Sequence, residues 1–181
     1  MPEAVPARKD QIVQAAIELL ESEGPDGVSM RAIADRVGIR APSLYKHFAD
    51  KAAVETAMIA AAFRQQAEVF VRALADATDP LGSLARAYRS WASAHPHLYR
   101  LMTHRPIPRE DLPDGVEDAA ALPVLQVVGG DADRARALWA FAHGMTSLEL
   151  ADRFPESADL DAAWRAGLQA FRAWLPATGT G

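Results

Sequence analysis

The chain has 181 residues, half of them hydrophobic, with 19 Lys+Arg against 24 Asp+Glu and no Cys. That length fits one domain, or two small ones sharing a helix. It suffices to bury a core without disulfides or structural metal, and the composition argues against disorder. The missing cysteines exclude thiol catalysis and Cys-based zinc sites, while the net charge of −5 excludes a uniformly basic nucleic-acid binder but not a local basic face.

The opening Met1-Pro2-Glu3-Ala4-Val5-Pro6 lacks a cationic start followed by an apolar core, so it does not read as a signal peptide. No 18-residue apolar run reads as a membrane span. A soluble, cytoplasmic protein is expected. From Arg8 to Gly24 the residues Ile12, Ala15, Ala16, Leu19 and Leu20 recur at helical spacing, and Gly24-Pro25-Asp26-Gly27 stops that helix. Ser29 is placed to cap a short helix over Met30–Val37, which Gly38 ends. A third short helix opens at Ala41-Pro42 and runs to His47, with proline tolerated in its first turn. Asp50 caps a long helix from Lys51 toward Ala77.

Asp79 and Pro80 open a helix with the stripe Leu81, Leu84, Tyr88, Trp91 and His95. Pro96 breaks it and starts another, carrying Leu98, Tyr99, Leu101 and Met102. Residues 104–123 contain Pro106, Pro108, Pro113, Gly115 and Pro123, and read as a long, mobile connection with at most a brief helix. Gly129-Gly130-Asp131 precedes a long helix through Arg153. Ser157 or Asp159 caps the last one, whose face is Leu160, Trp164, Leu168, Phe171 and Leu175, and residues 176–181 form a small flexible tail. Nothing alternates as a half-buried strand would, so the fold is expected to be all-α.

Residues 28–51 meet the requirements of a helix-turn-helix. Ala34 is small where the second helix must cross the first, Gly38 can take a positive φ in the turn, and Ile39 plugs it. Leu44 and Phe48 point back to a core that Ile33 and Val37 share. This stretch has five Lys+Arg (Arg31, Arg36, Arg40, Lys46, Lys51) against Asp35 and Asp50, a net of +3. In such motifs the start of the second helix reaches base edges in the major groove and flanking groups hold phosphates. Arg40, Ala41, Pro42 and Ser43 occupy the reading position: Arg40 suits guanine, and Ala41 or Pro42 a thymine methyl. Tyr45, Lys46, His47 and Lys51 are placed to donate to phosphates, and Ser29 and Arg31 join that surface at the start of the first helix. The bland reading is a helical hairpin whose charges only solvate it.

Ser29-Met30-Arg31-Ala32-Ile33-Ala34, then Gly38-Ile39, then Ser43-Leu44-Tyr45-Lys46-His47-Phe48 with Lys51 opening the next helix, resemble the tetracycline-repressor-like (TetR) transcriptional regulators over residues 8–60. The resemblance implies a three-helix DNA-binding head at 1–51, joined by a long helix to a helical ligand-binding and dimerisation domain at 52–181. It implies phosphate contacts from Tyr45, His47 and Lys51, base reading around Arg40 to Ser43, and a homodimer on a near-palindromic double-stranded operator. Ala41-Pro42 stand where a Lys/Gly pair is commoner in that family.

Residues 52–181 have twelve Lys+Arg against sixteen Asp+Glu, a net of −4, so this part is not expected to touch DNA. Its aromatic residues read either as core or as the lining of a cavity for a small apolar ligand, with Phe63, Tyr88, Trp91, Met102, Trp139 and His143 as candidates. Trp139 followed by His143-Gly144 resembles the Trp-His-Gly signature of one C-terminal domain class in the same family. His143 is expected to face inward, toward a ligand or a buried carbonyl. His95 and His97 are separated by the helix-breaking Pro96, so with His104 they suit surface or capping roles better than a metal site. No metal, cofactor or catalytic constellation is expected.

Dimerisation is expected through the last two helices. The faces read for it are Leu138, Ala142, Met145 and Leu148–Leu150 on one, and Leu160, Trp164, Leu168 and Phe171 on the other, widened by Trp174. The alternative is that both helices pack inside the monomer. A DNA-binding regulator, as a repressor released by a small apolar ligand, is the leading functional reading. A helical carrier or enzyme with an idle helix-turn-helix is the second.

Overall fold

Short polar side chains set the helix boundaries. The computed structural model describes residues 7–173. The regular elements among them are α1 (Arg8–Gly27), α2 (Met30–Val37), α3 (Ala41–Leu44), α4 (Lys51–Leu74), α5 (Pro80–Ala94), α6 (Pro96–Thr103), α7 (Val116–Val127), α8 (Ala132–Leu150) and α9 (Leu160–Arg172), with one 3₁₀ turn at Arg109–Asp111. Trp174, Leu175 and the tail lie outside the described residues. The described fold is all-α. Ser29 Oγ accepts from Ala32 N at 3.1 Å, Asp50 Oδ1 from Ala53 N at 2.8 Å, Asp79 Oδ1 from Gly82 N at 3.1 Å and Asp159 Oδ1 from Ala162 N at 2.8 Å. Asp131 Oδ1 takes both Asp133 N and Arg134 N. Each cap satisfies amide groups that have no partner inside the helix.

Gly24, at φ 74° and ψ −177°, breaks the first helix where expected, and a further short turn follows through Gly27 within the span of α1. Two elements differ from the sequence reading. α3 is only four residues long; Lys46 N donates to Ser43 O at 3.3 Å and His47 N to Leu44 O at 2.9 Å, the tighter three-residue spacing of a 3₁₀ turn. Residues 116–127, read mostly as connection, form the twelve-residue α7. Val116, Ala120, Pro123 and Val127 are buried along one of its faces. That burial offsets the hydrogen bond Pro123 cannot make, a loss that costs roughly 3 kcal/mol inside a helix.

The chain packs as two units. One takes the chain through Ala62 together with His95–Asp114, so α6 joins the N-terminal helices. Its core holds Ile12, Ala16, Ile33, Ala34, Leu44, Val54, Met58, Leu98 and Tyr99. α6 lies against α1, where the Glu21 carboxylate accepts from Leu98 N at 2.7 Å and His97 N at 3.3 Å and so caps the start of α6.

The other unit takes Phe63–Ala94 and the chain from Gly115 on. Within it α8 packs on α5, α7 and α9. Arg89 of α5 joins α8 and α9: its Nε lies 2.8 Å from Glu149 Oε2 and its Nη1 bonds Asp161, while Trp164 Nε1 donates to the other oxygen of Glu149. The faces read for dimerisation are corrected in part: Leu138, Ala142, Trp164 and Leu168 are buried in this unit's own core, whereas Leu148 is exposed. Beside Leu148 and the half-exposed Trp139, the residues turned outward are small: Ala140 on α8, and Ala163, Ala166 and Ala170 on α9, are exposed, and a Cβ added to Gly144 would meet nothing within 4 Å. Among the described residues no helix is long and apolar enough to cross a membrane.

Candidate nucleic-acid interface

The turn between α2 and α3 sets how the chain enters α3. Gly38 sits at φ 72° and ψ 35°; its N–H bonds Asp35 O at 3.2 Å, and Ile39 N bonds Ala34 O at 3.0 Å, the paired closure of a Schellman motif. A Cβ at Gly38 would meet nothing within 4 Å, so glycine is needed there for its backbone angle and not for space. The chain leaves this turn with Arg40 extended at φ −76° and ψ 142°, flanking α3.

α3 is anchored from one side. Leu44 and Phe48 are buried, and the Lys9 ammonium lies 5.7 Å from the Phe48 ring centroid. Arg40, Pro42, Tyr45 and Lys46 are exposed, with Tyr45 54% accessible, while Ala41, Ser43 and His47 are half-buried. Tyr45 thus presents more than half of its surface to solvent, next in sequence to the exposed Lys46. Ser29 and Arg31, at the start of α2, and Lys51, at the start of α4, belong to the same unit. The Ser29 hydroxyl accepts the cap bond from Ala32 and keeps its own hydrogen to donate.

The cations are not equivalent. Arg36 Nη atoms lie 3.6 Å from Glu18 and 3.7 Å from Glu23, so this guanidinium is matched by α1 and contributes little to an outward positive face. Arg31 pairs loosely with Asp35 at 3.9 Å, in full solvent. Arg40 and Lys46 have no ion pair among the described residues. Lys51 Nζ donates to Pro25 O at 3.3 Å and lies 3.7 Å from Glu55. The count of +3 over residues 28–51 therefore overstates Arg36 and omits Glu55.

The ligand candidates fall in different places. Met102 is buried on α6, in the first unit. Phe63, Tyr88 and Trp91 are buried in the second; Tyr88 stacks on Phe70 at 6.2 Å, and Trp91 Nε1 donates to Gln65 Oε1 at 3.4 Å. Trp139 and His143 share one face of α8, ring centroids 5.5 Å apart, but Trp139 is 50% exposed and His143 half-buried, so His143 does not face inward as expected. Its ring nitrogens reach Ser147 Oγ at 3.4 Å and 3.5 Å. Two further residues went unread. Gln66 and Thr146 are buried, and among the described residues Gln66 Nε2 and Thr146 Oγ1 have no hydrogen-bond partner. Both continue an apolar i, i+4 register, Met58-Ala62-Gln66-Phe70 and Leu138-Ala142-Thr146, and a polar residue in such a stripe was the available signal. Among the described residues no three His, Asp or Glu side chains gather as a metal site.

Two family models match the chain. One, described as bacterial regulatory proteins of the tetR family, covers residues 12–58. The other, described as a tetracyclin repressor-like C-terminal domain, covers residues 81–171, half of the chain. The chain belongs to the TetR family. A relative, the uncharacterized HTH-type transcriptional regulator Rv0681 of Mycobacterium tuberculosis, is 30% identical over 155 residues, covering 78% of this chain and 70% of its own. A solved protein of unknown function from Rhodococcus sp. RHA1 superposes with a TM-score of 0.75 at 25% identity, covering 97% of this chain and 100% of its own. A TetR variant from Acinetobacter baumannii AYE, solved in complex with minocycline, superposes with a TM-score of 0.66 at 26% identity over 93% of this chain and 96% of its own. As a TetR-family member, the chain is a DNA-binding transcriptional regulator, and membership weighs against the carrier reading.

Proposed function

We propose that this regulator is a cytoplasmic, homodimeric repressor that binds a near-palindromic double-stranded operator and is released by a small, largely apolar ligand. The observation that carries the reading is the two-sidedness of α3: Leu44 and Phe48 are buried, and Arg40, Pro42, Tyr45 and Lys46 are left outside. Arg40 reads guanine, and Ala41, Pro42 and Ser43 contact base edges beside it. Tyr45, Lys46, His47 and Lys51 hold phosphates, with Ser29 and Arg31 adding contacts from the start of α2. Residues 1–51 serve as the reading head and 52–181 as the ligand-binding and dimerisation part.

The minocycline-bound neighbour supports a ligand for the second part. Phe63, Tyr88 and Trp91 supply apolar surface, and Gln66 Nε2 and Thr146 Oγ1 would each gain from a ligand polar group, since a buried polar atom without a partner costs about 1–3 kcal/mol. Trp139 and His143, on α8 of the same unit, complete the candidate set, and Met102, buried in the other unit, stands as a separate candidate. The outward small-residue faces of α8 and α9 suit a four-helix contact between two copies. Ligand binding then changes the separation of two heads that must match half-sites about 34–36 Å apart, or a multiple of that.

Fluorescence anisotropy with DNA from just upstream of its own gene tests the head. Lys51→Ala should weaken all sequences alike and lower the salt slope by roughly one. Tyr45→Ala should likewise weaken all sequences, whereas Arg40→Ala should cost about 1–3 kcal/mol at one base position and relax the preference there. Unchanged affinity and slope in all three would show that the surface is misassigned. No binding at low salt by folded protein would favour a carrier.

A further inference from the structure

The segment after α6 brings an arginine to α4 within the first unit. Arg105 Nη1 lies 3.0 Å from Glu55 Oε2, and Lys51 Nζ lies 3.7 Å from the other oxygen, Oε1. Glu55 is the least exposed of the three side chains, at 22% against 42% for Lys51 and 61% for Arg105. Two cations therefore share one carboxylate one helical turn into α4, and the group nets +1. With Glu55 alone beside it, Lys51 would be a neutral pair with little attraction for a phosphate. The closer, charge-assisted contact from the guanidinium competes for that carboxylate.

We propose that Arg105 is a positioning residue for DNA binding: by occupying Glu55 it leaves the Lys51 ammonium available to a backbone phosphate. The placement of residues 104–115 then sets the effective charge at the start of α4. Any shift of that segment away from Glu55 lowers DNA affinity without touching the reading residues. Nothing in the spacing of the sequence announces this, because Arg105 and Glu55 are fifty residues apart. The proposal rests on the reading that Lys51 faces phosphate.

The test measures binding of the full chain to a fluorescein-labelled duplex of scrambled sequence across about 50–200 mM salt, since phosphate contacts need no operator. Arg105→Ala should weaken binding several-fold and flatten the salt slope by about one. Arg105→Lys should retain most of the affinity. Glu55→Gln in the Arg105→Ala background should restore binding to the wild-type level or above, and Arg105→Ala should add no further loss to Lys51→Ala. Thermal unfolding of each variant checks that the fold is kept, and Arg105→Lys and Glu55→Gln preserve the test if Arg105→Ala does not fold. A loss in Arg105→Ala that Glu55→Gln fails to rescue overturns the proposal. So does a loss that is additive with Lys51→Ala, which would make Arg105 a direct phosphate contact, and so does no loss at all while Lys51→Ala weakens binding. If Lys51→Ala itself changes neither affinity nor slope, it is the phosphate reading of α4 that fails.

Discussion

Asp79 does two things at the start of α5. It caps the helix through Gly82 N, and both of its oxygens face Arg172 of α9, at 3.0 Å and 2.9 Å. The Arg172 guanidinium hydrogen-bonded to it holds the Asp79 carboxyl below the ordinary value of 3.8. A carboxyl lowered in the folded state adds stability that is fully present above its unfolded value and disappears as pH falls through the folded one. The contribution should therefore be constant above about pH 5 and vanish on the acid side of 3.8. Asp79→Asn keeps a capping oxygen and removes the charge. Acid titration of chemical stability should show the variant less stable by under about 1 kcal/mol near neutrality, because the pair is solvent-screened, with the two curves converging as pH falls below 3.8. Curves that stay parallel to the lowest pH would mean the pair contributes no pH-dependent stability.

At the scale of elements, Gly167 of α9 faces the Phe141 ring of α8. A Cβ on Gly167 would come within 2.1 Å of that ring, which is itself held edge-on to Trp164 and tilted against Phe171. Gly167→Ala should lower stability by about 1–3 kcal/mol through overpacking, despite alanine's better helix propensity. Urea denaturation would detect it; a stabilised variant would show that the ring moves aside freely. This contact was invisible in the sequence, whereas most helix limits were not. Ser29, Asp50, Asp79, Asp131 and Asp159 each mark a start by local chemistry; the first three were readable as caps, Asp131 as the approach to a helix, and Asp159 only with Ser157 as an alternative. α7 was obscured because the prolines of 104–123 outweighed the stripe Val116, Ala120, Pro123 and Val127, whose value comes only from packing. That Arg40, Pro42, Tyr45 and Lys46 stay exposed around α3 was legible because their spacing is local. Gln66, Thr146 and the Glu55–Arg105 contact depend on tertiary neighbours, and the outward alanines of α8 and α9 carry too little hydrophobic signal to be chosen over Leu138 or Trp164.

For the whole molecule, the net charge of −5 predicts weak non-specific attraction to DNA, so specific binding depends on a few well-placed groups and, in the proposed dimer, on two heads acting together. A dimer built on the small faces of α8 and α9 is sensitive to bulk and charge there. Ala140→Glu or Ala166→Glu should convert it to monomer in sedimentation velocity while leaving helix content unchanged, and should reduce operator affinity far more than binding by a single head. A variant that stays dimeric would move the contact to another surface.

The open space around Gly38 has a stereochemical consequence. Its φ of 72° is strained for an L-residue but is the natural basin of the mirror-image amino acid. In semisynthetic protein, L-alanine at 38 should cost about 1–2 kcal/mol. D-alanine should instead stabilise the turn by about 0.4–1 kcal/mol, since it narrows the unfolded ensemble and its methyl meets nothing in the fold. The handedness of one methyl group would then decide whether the turn between α2 and α3 is loosened or stiffened, with the composition of the chain unchanged.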